Sequence, residues 1–150
     1  MSNLRIYIAI STFHPLVGGA ETQAMAQART LRERGYESTI VTLRHKKAWL
    51  PYEEINDIPV MRVGGNLLDG REKRSRILQQ LFYMLALVVM GWALWRSRRN
   101  YDLLHVYQLS ALTLPTVLVS YFSHKPMLVS VRSTGSGGLK GSHESAKLIA

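Results

Sequence analysis

The residues best suited to chemistry in this chain are two glycines, Gly18 and Gly19, in a loop at residues 13–19 that we call the glycine loop. An apolar run at residues 4–11 predicts a buried strand before it, and small and apolar residues at helical spacing predict a helix over 20–34. A helix that starts after such a loop has free backbone N–H groups at its N-terminus, where phosphate binds. Glycines can also take positive φ and let a ligand approach the backbone closely. The alternative is a tight connection that binds nothing.

Strands and helices alternate along the sequence and predict an α/β fold with a Rossmann-like, doubly wound parallel sheet. The predicted strands cover residues 4–11, 37–43, 59–63, 103–107 and 127–131. The predicted helices cover residues 20–34, 73–97, 111–123 and a final segment from about residue 143. Ligands bind such sheets beyond the carboxyl ends of the strands, where the strand order reverses. We expect the glycine loop to lie at that edge.

Four motifs occur in a characteristic order along the chain. They are Pro15 with Gly18-Gly19-x-Glu21, Leu31-x-x-x-Gly35-Tyr36-x-x-x-Ile40-Val41-Thr42, Tyr101-Asp102-Leu103-Leu104-His105-Val106-Tyr107, and Lys125-Pro126-Met127-Leu128-Val129-Ser130-Val131-Arg132. This order resembles the N-terminal, acceptor-side half of the family 4 glycosyltransferases, retaining enzymes of the GT-B fold. The resemblance implies transfer of a sugar from a nucleotide sugar to a hydroxyl acceptor, either lipid-linked or a polysaccharide. A non-catalytic membrane-associated subunit or binding module is the alternative.

The same resemblance implies that a C-terminal donor-binding half is absent from this chain and that no metal or other cofactor is needed. Transfer requires donor and acceptor to be held together in a cleft from which water is largely excluded. One half of the protein supplies only one wall of that cleft. We therefore expect the chain alone to be inactive.

Position at strand ends, together with the resemblance, assigns roles to six residues. They are Gly18 and Gly19 at the donor diphosphate, Arg132 as the catalytic residue, and His14, Tyr107 and Gln108 at the acceptor. Many enzymes of the family carry histidine where this chain has Arg132, and an arginine stabilises phosphate charge without shuttling a proton. The alternatives are that His14 orders its own loop and that Arg132 pairs with a nearby carboxylate. His105 lies within a strand, which favours a hydrogen-bonded core histidine over a catalytic one.

Composition limits the size of the fold and the kinds of site. The chain has 150 residues, 47% of them hydrophobic, which suits a single domain over 1–150 with a full core. It has no cysteine, which excludes disulfides and thiolate metal sites, and its five histidines show no metal-ligand spacing. The N-terminal apolar run is too short for a signal peptide, so the sequence predicts a cytoplasmic location.

A long uncharged stretch at residues 77–95 has apolar side chains at helical spacing and basic residues at both ends. Seven basic residues and one acidic residue flank it, so this segment supplies +6 of the net charge of +9. Three interpretations are open: a core helix with solvated basic ends, peripheral attachment to an anionic membrane surface at the inner face, and a transmembrane span.

Two other partners are disfavoured by the pattern. The basic residues bracket an apolar helix instead of lining a groove with stacking aromatic residues, which argues against nucleic acid. The glycine loop lacks the G-x-G-x-x-G spacing, which argues against a nicotinamide cofactor.

Overall fold

The structure is a computed structural model that describes residues 4–70, 73–107 and 110–130. The strands are β1 (Arg5–Ile10), β2 (Glu37–Leu43), β3 (Tyr52–Ile55), β4 (Ile58–Val63), β5 (Leu103–Tyr107) and β6 (Met127–Ser130). The helices are α1 (Gly19–Glu33), α2 (Arg76–Arg96) and α3 (Thr113–Ser123). The strands form one sheet in the order β3-β4-β2-β1-β5-β6.

β1 lies in the middle of this sheet, paired in parallel with β2 on one side and with β5 on the other. Its residue Ile8 is aligned with Ile40 of β2 and with His105 of β5. β4 and β6 extend the parallel sheet outward, so the chain winds away from β1 in both directions. The fold is therefore doubly wound, as the sequence predicted.

Alternate residues of the strands enter two separate cores, one on each face of the sheet. On one face, Ile8, Ile10 and Ile40 pack against α1. The buried residues of α1 are alanines, Ala20, Ala24 and Ala28, whose small side chains let the helix lie close to the strands. On the other face, alternate strand residues such as Ala9, Val41 and Val106 pack against α2 and α3. Each fully buried isoleucine stabilises the fold by about 1.5–3 kcal/mol.

The predicted elements within the described residues are confirmed, and none of their ends shifts by more than three residues. β3 is the exception, because no strand was predicted over residues 52–55. It pairs antiparallel with β4 through a two-residue turn, Asn56-Asp57, in which both residues have positive φ. Asn and Asp tolerate this conformation and mark hairpins of this kind, so the signal was present in the sequence. The helix predicted from about residue 143 lies outside the described residues.

α2 is long and apolar enough to cross a membrane, and its N-cap Ser75 accepts a hydrogen bond from Leu78 N. One face of α2, which includes Leu87, Met90 and Leu94, is buried against the sheet. The opposite face is exposed: 80% of Ile77 and 64% of Trp92 is accessible to solvent. The helix is therefore half core and half exposed apolar surface.

Asp102 fastens the amino ends of the central strands, at the edge opposite to the glycine loop. Its carboxylate accepts hydrogen bonds from the backbone and the guanidinium of Arg5 at 3.1–3.2 Å, and Lys125 Nζ lies 3.5 Å away. The Arg5 side chain, followed by its backbone N–H, lowers the pKa of Asp102 to about 2. Asp102 thus supports the fold at the edge away from the predicted site.

The lowered pKa of Asp102 predicts a specific loss of stability in acid. Because the folded-state pKa of Asp102 lies below the ordinary pKa of an aspartate, the carboxylate stabilises the fold above about pH 4, and this contribution disappears as pH falls toward 2. Asp102→Asn should remove that part of the pH dependence, measured as urea midpoints between pH 5 and 2. Asp57→Asn, in the exposed hairpin turn, is the control and should keep the wild-type profile. Equal acid sensitivity of wild type and Asp102→Asn would contradict the assignment.

Candidate functional site

The strand order reverses between β1 and β5, and folds of this kind bind ligands in a crevice at the carboxyl ends of the strands at such a point. β1 ends at Ile10, and the chain then passes through the glycine loop before α1 begins. β5 ends beside it at Tyr107. The fold thus places the glycine loop at the edge of the sheet where ligands of such folds bind.

α1 begins without a side-chain cap. Its N-cap Gly18 is extended, with φ −138° and ψ −170°, and the Gly18 carbonyl accepts a hydrogen bond from Thr22 N at 3.0 Å. The N–H groups of the first turn have no acceptor inside the helix, and the helix dipole adds partial positive charge. This is an arrangement that favours an anion.

Neither glycine adopts the positive φ that we expected. Gly18 is extended and Gly19 already begins α1, so the chain enters the helix without a residue at positive φ. The glycines contribute the absence of a side chain instead. A Cβ at Gly19 would meet no atom within 4 Å, so the space above this residue is open to a ligand. A Cβ at Gly18 would lie 2.7 Å from Glu21 Oε2, so that side of the helix end is occupied.

Glu21 occupies this position because it is the third residue of α1 and its side chain turns back toward the N-terminus. Its carboxylate accepts a hydrogen bond from the Thr12 hydroxyl in the loop after β1. An acidic residue in the first turn also stabilises the helix dipole. Glu21 was not among the predicted site residues, although its spacing from Gly18 is the one at which capping glutamates reach back.

Arg62 is the buried residue that holds the glycine loop in place, and the sequence analysis did not identify it. It lies on β4 and is 3% exposed. Its guanidinium donates to the His14 carbonyl at 2.7 Å and to the Leu50 carbonyl at 3.0 Å, and it forms an ion pair with Glu53. The Arg62 side chain on β4 thus contacts three parts of the chain: β3, the segment just before β3, and the glycine loop.

The predicted acceptor residues have different environments. His14 is exposed and lines a cavity of about 190 Å³ that lies between the first turns of α1 and the β3–β4 turn at Ile55 and Asn56. Tyr107 is 2% exposed and packs in the core under α1, where its hydroxyl hydrogen-bonds the Gln27 side chain. The structure thus exposes His14 at the surface and buries Tyr107 beneath α1. Gln108 and Arg132 lie outside the described residues.

The comparison with known families decides what kind of domain carries this site. Residues 18–149 match the model of a family described as a glycosyl transferase 4-like domain. The chain belongs to this family. The match confirms the family to which the four motifs pointed, and it starts at Gly18, the N-cap of α1.

Among solved structures, this glycosyl transferase 4-like domain is similar to sucrose-phosphate synthase from Thermosynechococcus elongatus. The two share 14% sequence identity with a TM-score of 0.58, over 97% of this chain. The match covers 37% of the synthase, so the chain corresponds to well under half of that protein. At this identity the similarity establishes the fold, an α/β Rossmann-like sheet similar to that of a GT-B glycosyltransferase. No curated protein sequence matches the chain.

His105, the histidine of the third motif, is a core residue in this domain. It is 2% exposed, and its Nε2 lies 2.7 Å from the Ser130 hydroxyl on β6. Its ring also packs against Tyr107, with 4.9 Å between ring centroids. The sequence-based preference for a hydrogen-bonded core histidine is confirmed.

Within residues 4–70, 73–107 and 110–130, no group of three or more His, Asp or Glu side chains could hold a metal ion.

The contacts of Arg62 predict that its loss loosens the glycine loop. Arg62→Met should lower the free energy of unfolding by about 2 kcal/mol, because hydrogen bonds to a charged group are lost. Backbone amide exchange in the glycine loop, including Leu16 N, should accelerate, while exchange in α3 stays unchanged. Arg32→Met, at an exposed position of α1, is the matched control. Unchanged exchange in the glycine loop of Arg62→Met would show that Arg62 does not hold it.

Proposed function

We propose that this chain is the acceptor-side half of a retaining glycosyltransferase that moves a sugar from a nucleotide sugar to a hydroxyl acceptor, lipid-linked or a polysaccharide. In this reaction the bond from the anomeric carbon to the diphosphate breaks, and a bond from that carbon to the acceptor oxygen forms. The nucleoside diphosphate leaves, and it takes up the proton that the acceptor hydroxyl gives up. Membership of the glycosyl transferase 4-like family and the GT-B-like fold support the proposal.

The observation that carries this proposal is the uncapped N-terminus of α1 at the point where the strand order reverses. A diphosphate bears negative charge that grows on its leaving oxygen as the sugar departs, and fixed N–H donors stabilise such charge. We assign the diphosphate to the open side of the helix end, over Gly19. The Gly18 side is taken by the Glu21 carboxylate, which would repel a phosphate.

We assign the acceptor to the cavity beside α1 that His14 lines, and we retain Arg132 as the residue that stabilises phosphate charge. An arginine keeps its charge at ordinary pH and can bind two phosphate oxygens at once. The proposal places the enzyme in the cytoplasm and requires neither a metal nor another cofactor. A second, donor-binding half completes the cleft, in keeping with the larger size of sucrose-phosphate synthase.

The open space above Gly19 gives a direct test of the phosphate site. Gly19→Val in the enzyme that carries this domain should reduce transfer about 100-fold, since small displacements of a reacting group have effects of this size. The fold should be unaffected, because a Cβ there meets no protein atom within 4 Å. Ala26→Val, at an exposed position of the same helix, is the control. Near-normal turnover of Gly19→Val with an unchanged melting temperature would exclude the phosphate role.

The two-part cleft predicts that the 150-residue chain alone catalyses no transfer. Purified chain with a panel of nucleotide sugars and candidate acceptors should give no product above background. Adding a separately produced donor-binding half should restore product formation. Multiple turnover by the chain alone would show a complete enzyme, and failure of every combination would favour the alternative of a non-catalytic subunit.

A further inference from the structure

Two adjacent helices, α2 and α3, expose a continuous set of large apolar side chains on the side of the sheet away from α1. We call this set the apolar face. It consists of Ile77, Leu81, Leu85, Val88 and Trp92 from α2, and Leu114, Leu118, Tyr121 and Phe122 from α3. Eight of these residues are between 46% and 74% exposed, and Ile77 is 80% exposed. Exposed apolar surfaces of this kind mark an interaction site.

A groove of about 440 Å³ runs between the two helices within the apolar face. Its lining is apolar throughout, with Trp92 and Trp95 from α2 and Leu118 and Phe122 from α3. Gly91 at its base lets the helices approach closely, since a Cβ there would lie 3.1 Å from Pro115 Cβ. Because the groove has no polar group to orient a ligand, its shape and chemistry suit a hydrocarbon chain.

Basic residues stand at both ends of the apolar face. Three basic residues lie at the start of α2: Lys73, Arg74 and Arg76. Three more lie at its end: Arg96, Arg98 and Arg99. The sequence has no acidic residue between positions 73 and 99. Arg96 comes four residues after Trp92, on the same face of the helix. Arg98 stacks over the Trp95 ring at 4.5 Å, at the rim of the groove. The ends of the apolar face thus combine tryptophan rings with positive charge.

We propose that the apolar face lies on the surface of an anionic lipid bilayer, with the groove taking up a lipid acyl chain. Tryptophan favours the headgroup level of a bilayer, and basic residues beside an apolar helix attract anionic headgroups. α2 lies parallel to the membrane plane in this arrangement, because its other face is fixed in the core of the sheet. This inference does not depend on the proposed transfer reaction.

Charge decides between a membrane and a second copy of the chain. Both ends of α2 are basic. If the apolar faces of two copies packed together, whether parallel or antiparallel, basic clusters of the two copies would lie next to each other and repel. Each copy also carries a net charge of +9. An anionic bilayer offers the opposite charge along the whole face.

Flotation of the full chain with vesicles tests the proposal. Vesicles of equal parts phosphatidylcholine and phosphatidylglycerol should bind the chain in 0.1 M salt, vesicles of phosphatidylcholine alone should bind it far less, and 1 M salt should release it. Each basic residue near the surface contributes about fivefold in binding, so Arg96→Glu with Arg99→Glu should weaken it about 30-fold or more. The matched control reverses Arg29 and Arg32 on α1, across the sheet, and should bind like the wild type.

A second pair of variants tests the apolar contribution. Val88→Gln with Leu118→Gln should weaken vesicle binding, whereas Leu50→Gln with Tyr52→Gln, also exposed but away from the apolar face, should not. Circular dichroism and melting curves must show that all variants are folded. Brominated acyl chains should quench tryptophan fluorescence in the wild type.

Several outcomes would overturn the proposal. Absence of binding to phosphatidylglycerol vesicles, or equal losses in the α1 control, would do so. A concentration-dependent dimer in sedimentation velocity that Val88→Gln with Leu118→Gln dissociates would identify a second copy as the occupant. Release by detergent alone, and not by salt, would indicate an inserted span. None of these results depends on transferase activity, so a failure here leaves the proposed function intact.

Discussion

The central position of β1 is the constraint on which the rest of this structure depends. Ile8, Ala9 and Ile10 are fully buried, and backbone groups that are buried must be hydrogen-bonded. β1 meets this requirement by pairing with β2 on one side and β5 on the other. The connections to these two strands run in opposite directions along the sheet. Since such crossovers are right-handed, their helices lie on opposite faces, and a crevice remains at the end of β1.

Topology places the glycine loop at this crevice, but the shape of the loop depends on a further contact. The buried guanidinium of Arg62 makes that contact with the His14 carbonyl. Burying a charge is costly, and Arg62 offsets this cost with its ion pair to Glu53 and its hydrogen bonds to two backbone carbonyls. An apolar residue could not hold the His14 carbonyl, and the glycine loop would lose its tie to the sheet. Arg62 therefore links the packing of β4 to the shape of the loop that begins α1.

Local patterns explain which parts of the molecule could be predicted from sequence. Alternation and helical spacing located the strands and helices, and the glycine pair located the start of α1. The role of Arg62 could not be found this way, because its contact with His14 spans 48 residues and leaves no local pattern. Tyr107 ends its strand at the predicted edge, but the strand alternation turns its side chain toward the core under α1. The hairpin turn after β3 carries a recognisable local signal, Asn56-Asp57, although the predicted strands did not include β3.

α2 shows a further limit, because its residues are apolar on all sides and composition cannot say which side is buried. The sheet decides this by burying the side that includes Leu87 and Leu94. The segment before α2 leaves β4 at the carboxyl edge of the sheet, and Arg74 binds the Leu67 carbonyl within it at 2.6 Å. The basic residues at the start of α2 therefore lie toward the same edge as the glycine loop.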